Sequence, residues 1–435
     1  MHPLRSLCLG WRDGMSDASD RVTLLVPELL ADGRGGQAVG GKAVRVQGDR
    51  IGAVGDAEAL RKETPPGAEV LDLPGQCLTP GLIDSHTHLS LAGDGRSYAE
   101  MFSDTDEMMV LTGVMNLLKH RRAGITTIRE HGARNRVGFA LKEGLGRGYF
   151  PGPRMQVSGR PITCTGGHFH MCNETADGVD EIRKSVRRLV HEGADYIKIM
   201  ASGGGTAGTD PGRASYSVDE LHAAVHEAHH HSRLTAAHCR ASESMRLAVE
   251  AGVDLIEHAE FLDPDRELRF DPKLAEMVAE SGIWVSPTLQ AWTRFYRIVE
   301  LRERHELGTL HSFEAAELHD LEVRAKGRMD VMRRMLEFEG MKERVVPGTD
   351  SGVSSLAFGH LDYDLQLLTE VGFTPAEALV AATRLSAEAI GMGGEIGTVE
   401  KGKMADFAIF QGDPTQDVGV FSRVSGVYQG GVKVV

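Results

Sequence analysis

Two histidines one residue apart, His86 and His88, close the apolar run LIDSHTHL. On a β-strand residues i and i+2 share a face, so both imidazoles reach towards one point, a spacing that suits a chelated metal. Three further apolar runs end in side chains of the same chemistry: AAHC at His238, IEHAE at His258 and PGTDS at Asp350. A fourth, YIKIM, carries Lys198 in its middle. Each alone has a bland explanation. A single strand-end histidine is usually a hydrogen-bonded structural residue, Asp350 suits a turn or a helix cap, HxH recurs by chance, and a lysine in an apolar strand can snorkel or pair. Together, four histidines, an aspartate and a buried lysine at strand ends are hard to explain by stability.

The elements that must position them follow from hydrophobic patterning. Eight short apolar runs, at 82–89, 124–130, 154–162, 196–201, 234–239, 255–260, 283–290 and 344–351, alternate with helical segments such as SVDELHAAVHEAHHH and SESMRLAVEAG. Repeated βα units imply a parallel sheet, and eight of them imply a (β/α)8 TIM barrel, whose working residues sit at the C-terminal ends of the strands. The barrel is expected over 81–393, with a helical insertion at about 291–340. On either side, 21–80 and 394–435 show strand runs broken by Gly, Pro and Asp turns, as expected of a small β-sandwich domain built from both termini. The fold class is therefore α/β. Residues 1–20 read as a flexible tail, with either Met1 or Met15 as the initiator.

Composition narrows the function classes. A formal charge of −14 over 435 residues disfavours nucleic-acid or anionic-membrane partners. No run approaches the ~20 apolar residues of a membrane span. Five scattered cysteines without a CxxC pair argue against a disulfide framework or a zinc finger, and a reducing, cytoplasmic setting is expected.

The stretches TPGLIDSHTHL, YIKIMASGG, AAHC, IEHAE and PGTDSG, followed by TPAEALVAAT and GTVEKGKMADFAIF, resemble the amidohydrolase superfamily, in its order, across residues 70 to 415. The likeness falls nearest the imidazolonepropionase-like hydrolases, the branch of Xaa-Pro and Xaa-Arg dipeptidases and N-acyl amino acid hydrolases. The resemblance implies two divalent metal ions, usually zinc, with His86, His88 and Asp350 holding the first and His238 and His258 the second. It also implies a carboxylated Lys198 bridging both, and Asp350 as the catalytic proton carrier. The physics is intelligible, because burial lowers a lysine's pKa and the neutral amine can add carbon dioxide. By the same resemblance His168, in the loop TGGH, and Tyr216 bind the carboxylate or carbonyl of a small-molecule substrate, and a homo-oligomer is expected.

His170, Arg213 and Arg129 are further polar candidates, each equally readable as a salt-bridged residue. The HEAHHH cluster reads as an exposed helix end, and Cys239, alternating with His238, should pack against a helix. The expected reaction is hydrolysis of an amide bond in a dipeptide or N-acyl amino acid. Cyclic-amide opening, deamination, and carbamate or lactone hydrolysis are alternatives, and a non-catalytic scaffold is a reading from another class that the complete ligand set disfavours.

Overall fold

The computed structural model describes residues 21–435; the tail expected over 1–20 lies outside the described residues. Strands β1 (Val22–Leu30), β2 (Lys42–Gln47), β3 (Arg50–Asp56) and β4 (Glu69–Pro80) come first. Only Gly81 separates β4 from β5 (Leu82–Thr87). A Cβ on Gly81 would fall 2.1 Å from Thr126 Oγ1, so a side chain there would force the two segments apart.

From β5 onward the strands are parallel and the connections helical. β5, β6 (Ile125–Glu130) and β7 (Arg154–Val157) form one sheet. β8 (Tyr196–Met200), β9 (Leu234–Ala241), β10 (Leu255–Leu262) and β11 (Trp284–Ser286) form a second, in spatial order β11-β10-β9-β8. The helices between them follow from local signals. In Gly178–Glu192, Ile182, Val186 and Leu189 recur at helical spacing and are buried, and Gly193 ends the helix in the left-handed region at φ 104°. Val218–His230 begins at a capping box of Ser217 and Glu220.

The two sheets meet through a single parallel bridge, Ile162 to Ile199. The eighth run, 344–351, forms no ladder. Pro347 in its middle has no N–H to donate, and the segment touches its neighbours through isolated parallel bridges, Val285 to Val345 and Thr87 to Ser351.

β12 (Phe407–Gln411), β13 (Val424–Gln429) and β14 (Val432–Lys433) complete the chain. β12 pairs antiparallel with β4, giving one seven-stranded sheet ordered β14-β13-β12-β4-β1-β2-β3. Both ends of the chain therefore share a single hydrogen-bonded sheet, where the sequence pattern suggested two layers of a sandwich. Its core includes Leu25, Val44, Leu78, Phe407 and Ile409.

The long interval after β11 holds the helices Leu289–Thr293, Phe295–Glu306 and Ser312–Met335. Phe295–Glu306 and Ser312–Met335 pack through Ile298, Leu301 and Leu321 and are laced by Arg297–Glu317 and Arg302–Glu322 ion pairs at 2.7 and 2.8 Å. Met329, Met332 and Met335 are buried in the main core.

Candidate metal and active site

His86, His88, His238, His258, Asp350 and Lys198 come together at one end of the parallel sheets and line one cavity of about 910 Å³. All six are buried. Two are held in unusual backbone: His258 at φ 71° and Asp350 at φ 54°. A non-glycine residue in the left-handed region costs of order 1 kcal/mol, which the surroundings must offset. For Asp350, its N–H donates to the His86 carbonyl at 2.8 Å and ties it to the end of β5.

The hydrogen bonds of His86, His88 and His238 decide where their lone pairs point. His86 Nδ1 lies 2.7 Å from Glu257 Oε2, and His88 Nδ1 3.4 Å from the Gly132 carbonyl. His238 Nε2 lies 3.1 Å from the Gly203 carbonyl, and His258 Nδ1 lies 2.8 Å from Thr288 Oγ1 and accepts the Trp292 Nε1–H at 3.0 Å. A carboxylate or carbonyl oxygen beside one ring nitrogen places the proton there and leaves the other nitrogen of His86, His88 and His238 as a lone-pair donor. Those other nitrogens converge. His86 Nε2 and His88 Nε2 stand 3.2 and 3.3 Å from Asp350 Oδ1, and His238 Nδ1 stands 2.8 Å from His258 Nε2. The His86 and His88 lone pairs, aimed at a carboxylate, repel it unless a cation or a proton lies among them. The ligand atoms of His86, His88 and Asp350 all lie within 4.8 Å of one another, so this donor set fits a metal ion.

Electrostatics follow the same geometry. Burial opposes a charged His86, yet the Glu257 and Asp350 carboxylates outweigh it and raise its pKa. Burial would also raise Asp350, but His86 and His88 outweigh it and hold the carboxyl well below its usual range. His238 and His258 are pushed well below theirs by burial; His258 further disfavours a charge on His238, while Asp350 partly opposes the effect of burial on His258. Lys198 is lowered to about 8, because burial outweighs the attraction of Glu257 and Asp350. Its Nζ has no hydrogen-bond partner among the described residues, and Glu257 Oε1 lies 3.8 Å away.

Glu257 and His131 are site residues that the strand-end pattern did not single out. Glu257 accepts from His86 on one oxygen and from His131 Nε2, at 2.5 Å, on the other; His131 Nδ1 in turn meets the Tyr196 hydroxyl, which donates to the Glu130 carbonyl. His86, His131 and Glu257 make a second close group of potential ligand atoms. Arg129 is fully buried with its guanidinium 3.8 Å from the centre of the Tyr196 ring.

Other candidates separate. His168 lines the cavity, its ring 4.6 Å from that of His238 and its Nδ1 2.8 Å from Thr206 Oγ1. Gly204 makes that position possible, since a Cβ there would meet the His168 ring at 2.5 Å. Tyr216 is buried away from the cavity lining, and its hydroxyl donates to the Ala176 carbonyl at 2.9 Å, so the structure does not bring it to the site. Arg213 is largely exposed beside Asp210, and His170 Nδ1 faces the Gly167 carbonyl. His229 pairs with Asp254 at the end of its helix, and Cys239 Sγ faces the Ser244 carbonyl of the following helix. The insertion walls the cavity with Trp292, Tyr296, Leu321 and Arg328.

Comparison with known proteins places this arrangement. Residues 77–434 match the model of the amidohydrolase family. Ochratoxinase of Aspergillus niger is 26% identical over 388 residues, covering 81% of this chain and 75% of that protein. A solved Xaa-Pro dipeptidase with methionine bound in its active site superposes with a TM-score of 0.79 at 24% identity, covering 95% of this chain and 99% of its own. A prolidase solved with N-methylphosphonate-L-proline gives 0.78 at 25% identity with the same coverage. The chain belongs to the amidohydrolase family and is an enzyme acting on amide bonds.

Proposed function

We propose that this enzyme is a binuclear metal-dependent amidohydrolase that cleaves the amide bond of a dipeptide or an N-acyl amino acid. The observation that carries the reading is the convergence of four imidazoles and the Asp350 carboxylate beside a buried, unpartnered Lys198 amine. In this reading His86, His88 and Asp350 would hold one ion, His238 and His258 the other, and Lys198, carboxylated by carbon dioxide, would be their shared ligand. Depression to about 8 supports that modification by raising the fraction of neutral, nucleophilic amine. When bound, two such ions, zinc in this reading, polarise the scissile carbonyl and acidify a nearby water.

The chain's own residues do the rest. Asp350, held ionised by its two histidines, accepts the proton of the attacking water and returns it to the leaving nitrogen. Thr206 Oγ1 accepts the Phe169 N–H and donates to His168 Nδ1, which leaves His168 Nε2–H as a neutral donor for a substrate carbonyl or carboxylate oxygen. Burial lowers the His168 pKa to about 3, so it stays uncharged at neutral pH. A cavity of about 910 Å³, with Tyr98, Phe169 and Trp292 in its wall, supports a substrate with an apolar acyl or side-chain half. The likeness to an ochratoxinase and to a prolidase supports the same bond type. In this reading the two parallel sheets and the 344–351 segment close into the eight-stranded barrel, since single bridges already join each seam.

The test is metal analysis of the purified chain, then a screen of dipeptides, N-acyl amino acids and small carbamates with metal and bicarbonate added. Lys198→Ala should lose metal and activity together and regain part of both with a short-chain carboxylic acid. Full activity in Lys198→Ala would exclude the bridging role.

A further inference from the structure

We propose that Arg328, on the long helix Ser312–Met335 of the insertion, is a positioning residue for the candidate metal centre: its guanidinium holds the backbone that aims the His258 imidazole. The inference rests on the reading of His258 as a metal ligand.

The end of β10 is the most distorted strand end in the site. His258, Ala259 and Phe261 take φ values of 71°, 46° and 56°, and the register with β9 shifts between His258 and Leu262. Left-handed residues rotate their carbonyls out of the ladder, and a buried carbonyl without a donor is costly. Arg328 supplies the donors. One Nη donates to the Ala259 carbonyl at 2.9 Å, and the other to the His258 carbonyl and, at 3.4 Å, to that of Pro287.

Pro287 precedes Thr288, which is itself left-handed at φ 46° and whose hydroxyl faces His258 Nδ1. The planar fork thus grips the main chain on both sides of the imidazole, at its own residue and beside the residue whose hydroxyl meets its Nδ1. Trp292, from the first helix of the insertion, shares its Nε1–H between Thr288 Oγ1 at 2.9 Å and His258 Nδ1 at 3.0 Å. Arg328 is 2% exposed and makes no salt bridge among the described residues; carbonyls accept from both Nη atoms, while its Nε has no hydrogen-bond partner there. A lysine offers one ammonium point where three carbonyls at fixed spacing need a fork.

The geometry makes the insertion more than a cover over the mouth. A shift of the Ser312–Met335 helix moves the His258 main chain, and with it the distance between His238 and His258.

The experiment uses the full chain, stripped of metal and reloaded with Zn²⁺ or Co²⁺, in wild-type, Arg328→Lys, Arg328→Met and Arg328→Ala forms, the first two also carrying Ala259→Gly. Metal retention is read by competition with a chromophoric chelator, and site geometry by the Co²⁺ absorption spectrum. Arg328→Met is expected to lose at least tenfold in retention and to change the Co²⁺ band shape, with Arg328→Lys intermediate. Guanidinium ion should restore retention severalfold in Arg328→Ala, because Arg328 borders the cavity and the truncation leaves a space beside it that the ion can fill. Ala259→Gly should narrow the Arg328→Lys loss, since glycine holds a positive φ without needing the clamp.

Retention within twofold and an unchanged spectrum in Arg328→Lys and Arg328→Met overturn the proposal, as does an Ala259→Gly change that leaves the Arg328→Lys loss the same size. Should Arg328→Met not fold, Arg328→Lys decides. A wild-type chain that takes up neither ion overturns the reading of the centre and this proposal with it, whereas a metal-binding wild type with unaffected variants overturns Arg328 alone.

Discussion

Replacing Lys198 by methionine should make the metal-free protein more stable near neutral pH while abolishing metal uptake. Burial lowers the Lys198 ammonium from 10.5 to about 8 in the folded chain, and the unfolded chain titrates near its ordinary value. That difference is about 3 kcal/mol of native stability lost at pH 7, where the lysine is charged in both states. Between pH 8 and 10.5 the unfolded state binds more protons at this site than the native state, so stability rises with pH through that window. The cost is full below the folded value and gone above the unfolded one. Methionine has a similar length and carries no charge, so Lys198→Met lacks both the cost and the slope. Urea unfolding of both proteins in chelator, followed by tryptophan fluorescence, measures the difference. At pH 7 the variant should lead by up to ~3 kcal/mol, and by pH 10 the linkage leaves a lead under ~1 kcal/mol. A variant less stable than wild type at pH 7, or an equal gap at both pH values, would refute the reasoning.

Glu257→Gln should keep the fold but weaken metal retention and kcat by roughly 10–100-fold, because an amide orients His86 less strongly than a carboxylate; chelator competition and steady-state rates measure it. Gly204→Ala, whose Cβ would meet the His168 ring at 2.5 Å, should raise KM severalfold with a smaller effect on metal content, read by kinetics beside metal analysis. Tyr216→Phe should cost ~1 kcal/mol of stability for its lost bond to Ala176 and leave kcat/KM within twofold; a large kcat/KM loss would return Tyr216 to the site.

The metal-competent residues are legible in the sequence because each closes a short apolar run, and strand alternation carries His86 and His88 to one face. Cys239 obeys the same alternation and faces a helix. Glu257 breaks it. As the neighbour of His258 it should point the opposite way, yet both reach the centre because the chain turns left-handed at His258 and Ala259. No pattern of residue types announces that turn, so Glu257 and its partner His131 stay hidden until coordinates are in hand. The terminal module is similar: strand-like runs at both ends reveal that the ends are β, but not that β12 pairs with β4 to make one sheet. In the eighth run the apolar pattern is present, and Pro347 together with the left-handed Asp350 keeps it from forming a ladder.

The pairing of β4 with β12 also sets a timetable for biosynthesis. β4 leaves the ribosome about 330 residues before its neighbour exists, which at ~5–20 residues per second is an interval of roughly 15 to 65 s. Throughout it, one edge of β4 is an open template for any passing strand. The parallel strands follow directly from β4 through Gly81, so the nascent chain assembles its catalytic half while the first sheet waits for its last three strands. Holdase chaperones that cover exposed edges would find their longest-lived target there.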